Sequence, residues 1–109
     1  MESRAVMLYL TALFPDSGMA PKPGTAKRGG FLTWLFWYGS VMEPVLTLAA
    51  AGIDHPYMTA SIRGVAEVTA RLHAALEKGP WLLGETFSAA DCCTFRPITG
   101  FRTPFRRTR

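Results

Sequence analysis

The chain has 109 residues, of which 49% are apolar and 18% charged, with a formal net charge of +4. That bounds it to one small domain with enough apolar residues for a core, and excludes a chain that is disordered for most of its length. The charge does not describe the body: residues 96–109 hold five Arg and no acid, whereas residues 1–95 carry 7 Lys and Arg against 8 Asp and Glu. A basic, nucleic-acid-binding character would rest on the tail alone, so no nucleic-acid partner is expected.

In chain order, residues 2–14 are expected to form a helix, with Val6, Tyr9, Leu10 and Leu13 as its apolar stripe. No small-residue cleavage site follows this segment, so it is not expected to be an export signal. Residues 15–25, PDSGMAPKPGT, are dense in Pro and Gly and read as a linker. A long helical segment is expected over 26–51, with Phe31, Trp34, Leu35, Tyr38, Met42, Val45 and Leu46 at steps of three and four. Pro44 should kink or divide it, because it lacks an N–H and crowds the preceding turn. The aromatic run within this segment invites a competing reading as a small membrane-associated protein. It is too short for a span, which needs about 20 apolar residues, so a membrane is not the expected partner.

Gly52 suits the end of that segment. Residues 57–78 are expected to form one amphipathic helix, its stripe Met58, Ile62, Val65, Thr69, Leu72 and Leu76. Arg63, Glu67 and Arg71 then form a solvated row on the far face. No segment alternates as a strand does, and the expected fold is all-α. The adjacent Cys92 and Cys93 suit neither a disulfide nor a metal site, and two unpaired thiols fit a reducing, cytoplasmic setting. His55 and His73 stand in no ligand pattern, so no metal is expected.

Ser88-Ala89-Ala90-Asp91 is a capping arrangement. The Ser88 hydroxyl can accept from the Asp91 N–H, and the Asp91 carboxylate can reach back to the Ser88 N–H. Phe87 stands where a hydrophobic staple onto Cys92 would begin. After this careful start come Thr94, Pro97, Thr99, Gly100, Thr103 and Pro104, mostly poor helix formers.

GGFLTWLFWYGSVMEPVLT followed by GPWLLGETFSAAD resembles the C-terminal helical domain of bacterial glutathione S-transferases. The resemblance covers residues 2–91. It implies a partial C-terminal helical bundle over 26–91, preceded at 1–14 by the last helix of a thioredoxin-like domain and joined to it by the linker at 15–25. It implies glutathione as co-substrate, a small electrophile as second substrate, and a homodimer. Glu2 and Ser3 match the pair that binds the γ-glutamyl end of glutathione in that family. The chemistry is sound: the positive end of a helix suits a carboxylate, and Glu2 can pair with an ammonium. On the same resemblance Gly30, Thr33 and Trp37, which share a helix face, are candidates for the electrophile pocket, with core packing as the plainer role of Trp37.

The family's catalytic Ser, Tyr or Cys has no counterpart in the resembling segment. The expectation is therefore of a fragment of a glutathione-conjugating or thiol-transferring protein, inactive by itself. A non-catalytic helical binding or dimerisation module is the alternative. Residues 92–109 are expected to be an unstructured basic tail outside the family pattern. A two-base shift of frame across Cys92 to Phe101 would permit a more apolar, helix-like string, so the tail is further expected to be a frameshifted reading.

Overall fold

Pro44 decides the shape of the longest helical segment. In the computed structural model, which describes residues 2–95, helix α2 (Ala26–Trp37) runs into a π turn (Tyr38–Met42) and on into α3 (Glu43–Ala50) without a break. Pro44 cannot donate to the Ser40 carbonyl four residues back, and its ring crowds that oxygen. The helix widens instead: the Glu43 N–H reaches back five residues to the Tyr38 carbonyl. The expected kink is thus resolved as a π turn, and the stripe survives it. Phe31, Leu35, Tyr38, Met42 and Val45 are all buried along one continuous line. At the far end Gly52, at φ 71, closes a Schellman motif, with its N–H on the Ala49 carbonyl and the Ile53 N–H on the Leu48 carbonyl.

The first helix, α1 (Ser3–Leu13), lies where expected but faces the other way. Val6, Tyr9, Leu10 and Leu13 are all exposed, Tyr9 at 65% and Leu13 at 52%. The inward side is Arg4, Met7, Leu8 and Thr11, with Met7 and Leu8 packed on the core. Residues 15–25 begin with a short 3-10 turn (Pro15–Ser17) and are tied down on both sides. The Met19 carbonyl accepts from the Ala89 N–H at 2.7 Å. The Pro21 carbonyl accepts from the Arg28 guanidinium at 2.9 Å.

The single helix expected over 57–78 is two helices, α4 (Pro56–Ser61) and α5 (Val65–Glu77). Arg63 between them has φ 154, which no helix tolerates. Gly64 caps α5, and its N–H donates to the Glu67 carboxylate at 3.0 Å. The break resets the phase of the stripe. Val68, Leu72 and Ala75 point inward, whereas Val65 and Leu76 are exposed.

The last described helix, α6, spans residues 89–95. It does not stop at Asp91. Thr94 is fully buried, and Cys93 and Phe95 pack on the core, so residues 92–95 belong to the fold and not to an unstructured tail. Residues 96–109, the rest of the expected tail, lie outside the described residues.

Two adjoining clusters make the core. One joins Phe31 and Leu35 of α2 to Leu82, Ala89 and Ala90; the other joins Trp37, Tyr38, Met42 and Val45 to Val68 of α5. Trp34 and Leu72 border both. Among the described residues there is no strand, only an isolated bridge between Trp81 and Gly84. The fold is all-α.

Candidate functional site

Asp91 shows how the sequence builds the end of the bundle. Its buried carboxylate accepts from the Leu82 N–H at 2.9 Å through one oxygen and from the Ser88 N–H at 2.9 Å through the other. Half of the expected capping box is present. The Ser88 hydroxyl does not accept from the Asp91 N–H; it lies 3.4 Å from the carboxylate. Asp91 also holds the tight turn Trp81–Gly84, closed by paired backbone bonds of 3.0 Å. Phe87 packs its ring edge-on to Trp81, with centroids 4.8 Å apart, in place of the expected staple on Cys92. Gly79 is obligatory here: a Cβ on it would lie 2.5 Å from the Gly84 carbonyl carbon.

At the opposite end of the chain, Glu2 caps α1. Its carboxylate holds Arg4 in a bidentate pair, with Nε and Nη2 each at 2.9 Å. Arg4 bonding holds the Glu2 carboxyl below the usual carboxylate range. The Arg4 side chain is only 17% exposed, because its guanidinium lies over Gly39 of the π turn. A methyl group on Gly39 would coincide with Arg4 Nη1. Tyr38 and Cys93 lie within electrostatic reach of the same guanidinium. Burial, more than any charge, pushes both the Tyr38 hydroxyl and the Cys93 thiol up. Cys93 is thus a protonated packing residue, not an activated nucleophile. Ser3 is exposed at the first position of α1. Helix geometry leaves the Ser3 and Ala5 amides without intrahelical acceptors, so this end of α1 can receive an anion.

The electrophile-pocket candidates share one side of α2 but differ in exposure. Gly30 and Thr33 are exposed; Thr33 donates its hydroxyl to the Gly29 carbonyl at 2.9 Å, and the open side of Gly30 faces Leu83. Trp37 is buried, edge-on to Trp34 with centroids 5.2 Å apart.

The residue that sequence reasoning missed is Arg71. It is exposed, as expected, but its side chain does not simply run into solvent: its guanidinium lies 4.7 Å from the Trp34 ring and 4.9 Å from the Trp37 ring. The signal was the pair Trp34 and Trp37, three apart on α2, which presents two faces to one cation. Glu67, its supposed neighbour in that row, reaches back to the N–H of the capping Gly64. His55 is also a cap, its Nδ1 accepting from the Tyr57 N–H at 3.1 Å. Among the described residues there is no cluster of possible metal ligands and no helix long and apolar enough to cross a membrane.

No family profile matches the chain. It is 31% identical over 101 aligned residues to the disulfide-bond oxidoreductase YfcG of Escherichia coli K12, an alignment covering 83% of this chain and 43% of the relative. Its fold superposes on the crystal structure of a glutathione transferase from Methylococcus capsulatus strain Bath with a TM-score of 0.74. That match has 25% identity and covers 97% of this chain and 53% of the other. The chain spans about half the length of the proteins it matches. Sequence and fold thus agree that the chain is a relative of the glutathione transferases, with the all-helical architecture of their C-terminal domain.

Proposed function

We propose that this chain is the helical part of a glutathione-handling protein, receiving the γ-glutamyl end of glutathione at Glu2 and Ser3 and by itself unable to turn glutathione over. The carrying observation is the start of α1, where Ser3 is exposed and the capping Glu2 carboxylate is ionised and oriented by Arg4. The ligand's carboxylate would sit on the Ser3 and Ala5 amides, and its ammonium beside Glu2. The parent chemistry is attack of the glutathione sulfur on an electrophile, either a small carbon centre or, as the name of the Escherichia coli relative suggests, a disulfide. Gly30 and Thr33 on the open face of α2 are the residues proposed to meet that second substrate. Trp37 supports them from within the core. The partly buried Cys93, its thiol pushed up by burial, is not activated as a nucleophile, and this supports the reading of inactivity. A cytoplasmic setting, with free thiols maintained, belongs to the same proposal.

Glutathione added to the chain should shift the amide resonances of Ser3 and Ala5 and leave those of α5 in place. With a chromogenic electrophile present, product should form no faster than in a protein-free blank. Unmoved Ser3 and Ala5 signals would remove the binding assignment, and turnover above the blank would overturn the inactivity.

One observation favours a second reading, a helical dimerisation module. The exposed side of α1 is a run of apolar residues, Val6, Tyr9, Leu10 and Leu13, continued by Phe14 at 63% exposure. Such a patch marks an interaction surface. On this reading sedimentation should show a defined dimer that dissociates when Leu10 and Leu13 are both changed to Lys; a monomer at all concentrations excludes it.

A further inference from the structure

At the break between α4 and α5 lies an open cleft of about 480 Å³, walled by the end of α3, the connector after it, α4 and the start of α5. Val45, Leu48, Ile53, Met58 and Val65 supply its apolar surface, and Ile53 and Val65 are left exposed there. Asp54 lines it from the connector and Arg63 from the break. Neither forms an ion pair among the described residues. Glu67, the acid nearest to Arg63 in the sequence, does not line the cleft and is engaged with the Gly64 N–H. His55 turns its Nδ1 to the Tyr57 N–H. The cleft shares no residue with the Glu2–Ser3 end of α1, nor with Gly30, Thr33 or Trp37.

We propose that this cleft binds a short apolar peptide with both ends free, its ammonium beside Asp54 and its carboxylate beside Arg63. The charge pattern selects this class. An anion would meet Asp54, a cation would meet Arg63, and a neutral apolar molecule would leave both charges unanswered. A polar zwitterion would leave the apolar walls wet. A ligand with opposite charges at its two ends and an apolar body answers every wall. The volume falls within the range of small-molecule sites, and two residues fill more of it than one. Arg63 is held at the cleft by the backbone: at φ 154 it can extend neither helix, and the Glu67 bond to the Gly64 N–H fixes the start of α5 just beyond it. This site uses no part of the glutathione reading and stands or falls apart from it.

The probe is leucyl-leucine, titrated into the full chain while the amide resonances are followed. It should move the Gly52, Gly64 and Val65 signals and leave those of Ser3 and Ala5 in place. Glycylglycine has the same two ends without the apolar body, and should bind at least about tenfold more weakly. N-acetyl-leucyl-leucine and leucyl-leucinamide should each bind about threefold more weakly than the free dipeptide, the effect of losing one exposed ion pair. Asp54→Asn should weaken the free dipeptide by a similar factor and make acetylation harmless. Arg63→Gln should do the same for amidation. Both side chains are exposed, and Gln asks the same of the backbone at position 63 as Arg does, so neither change endangers the fold. Cleft signals that leucyl-leucine does not move would overturn the proposal. So would capped dipeptides that bind as tightly as the free one, an acetylation penalty that persists in Asp54→Asn, or an amidation penalty that persists in Arg63→Gln.

Discussion

Arg4 and Gly39 form a pair whose logic runs against propensity. In an ordinary helix Ala is better than Gly by about 1 kcal/mol. At position 39 the missing side chain is the seat of the Arg4 guanidinium. Gly39→Ala should therefore destabilise the chain by about 1–2 kcal/mol, in spite of the propensity gain. With Arg4→Ala already in place the seat is vacant, and the same Gly39→Ala change should become stabilising by up to about 1 kcal/mol. Urea unfolding of the four proteins measures this reversal of sign; additive effects would show that the two residues do not meet. Cys93 offers a second test at this scale. Burial raises its thiol above the ordinary value of 9.0, so the folded chain holds a proton that the unfolded chain releases. The resulting stability is complete below about pH 9 and is lost as the pH rises through the folded value. Stability measured from pH 8 upward should decline, and the decline should lessen in Cys93→Ala while the part due to the raised Tyr38 hydroxyl remains.

Among the elements, α1 tests the difference between seeing a helix and knowing its inside. Met7→Ala should cost about 1–2 kcal/mol, since the side chain packs on the core. Leu13→Ala should change stability by less than about 0.5 kcal/mol. Thermal and urea unfolding decide it, and the reverse order would show the Val6–Leu13 side to be core. The period of α1 was legible in its sequence, but its orientation was not. A helix with apolar residues on two sides does not state which side its own chain covers, and the richer side of α1 is the one left open. The α2–α3 stripe was legible residue by residue because a single unbroken apolar line ran through it. Only the π turn was hidden, since Pro44 specifies a disturbance and not its form. The α4–α5 break did have a signal, Gly64 inside a helical pattern, and overlooking it put the stripe of α5 out of phase. Of the candidate sites, the Asp91 cap could be read from spacing. Its second bond, to the Leu82 N–H, could not, because that depends on how a turn nine residues earlier folds back. Arg71 escaped for the same reason: charge spacing within one helix says nothing of the two tryptophans on another.

Over the whole molecule, two clusters share Trp34 and Leu72, so α2 and α5 are the common wall of the core. Segments far apart in sequence are fastened to that wall by a few polar bonds. Asp91 fixes Leu82, Arg4 rests on Gly39, and Ala89 holds Met19. The last of these changes how residues 15–25 should respond to a protease. A stretch of Pro and Gly between helices looks like the natural place for a cut. Here its middle is bonded to the start of α6, and Arg28 grips the Pro21 carbonyl. A cut at an exposed bond such as Asp16–Ser17, made by an endoprotease specific for acidic residues, should leave a nicked chain whose two pieces migrate together until denaturant is added, because α1 remains attached through Met7, Leu8 and Arg4. The segment that looks most like a hinge in the sequence would then serve as a clasp, and severing it would not release what it joins.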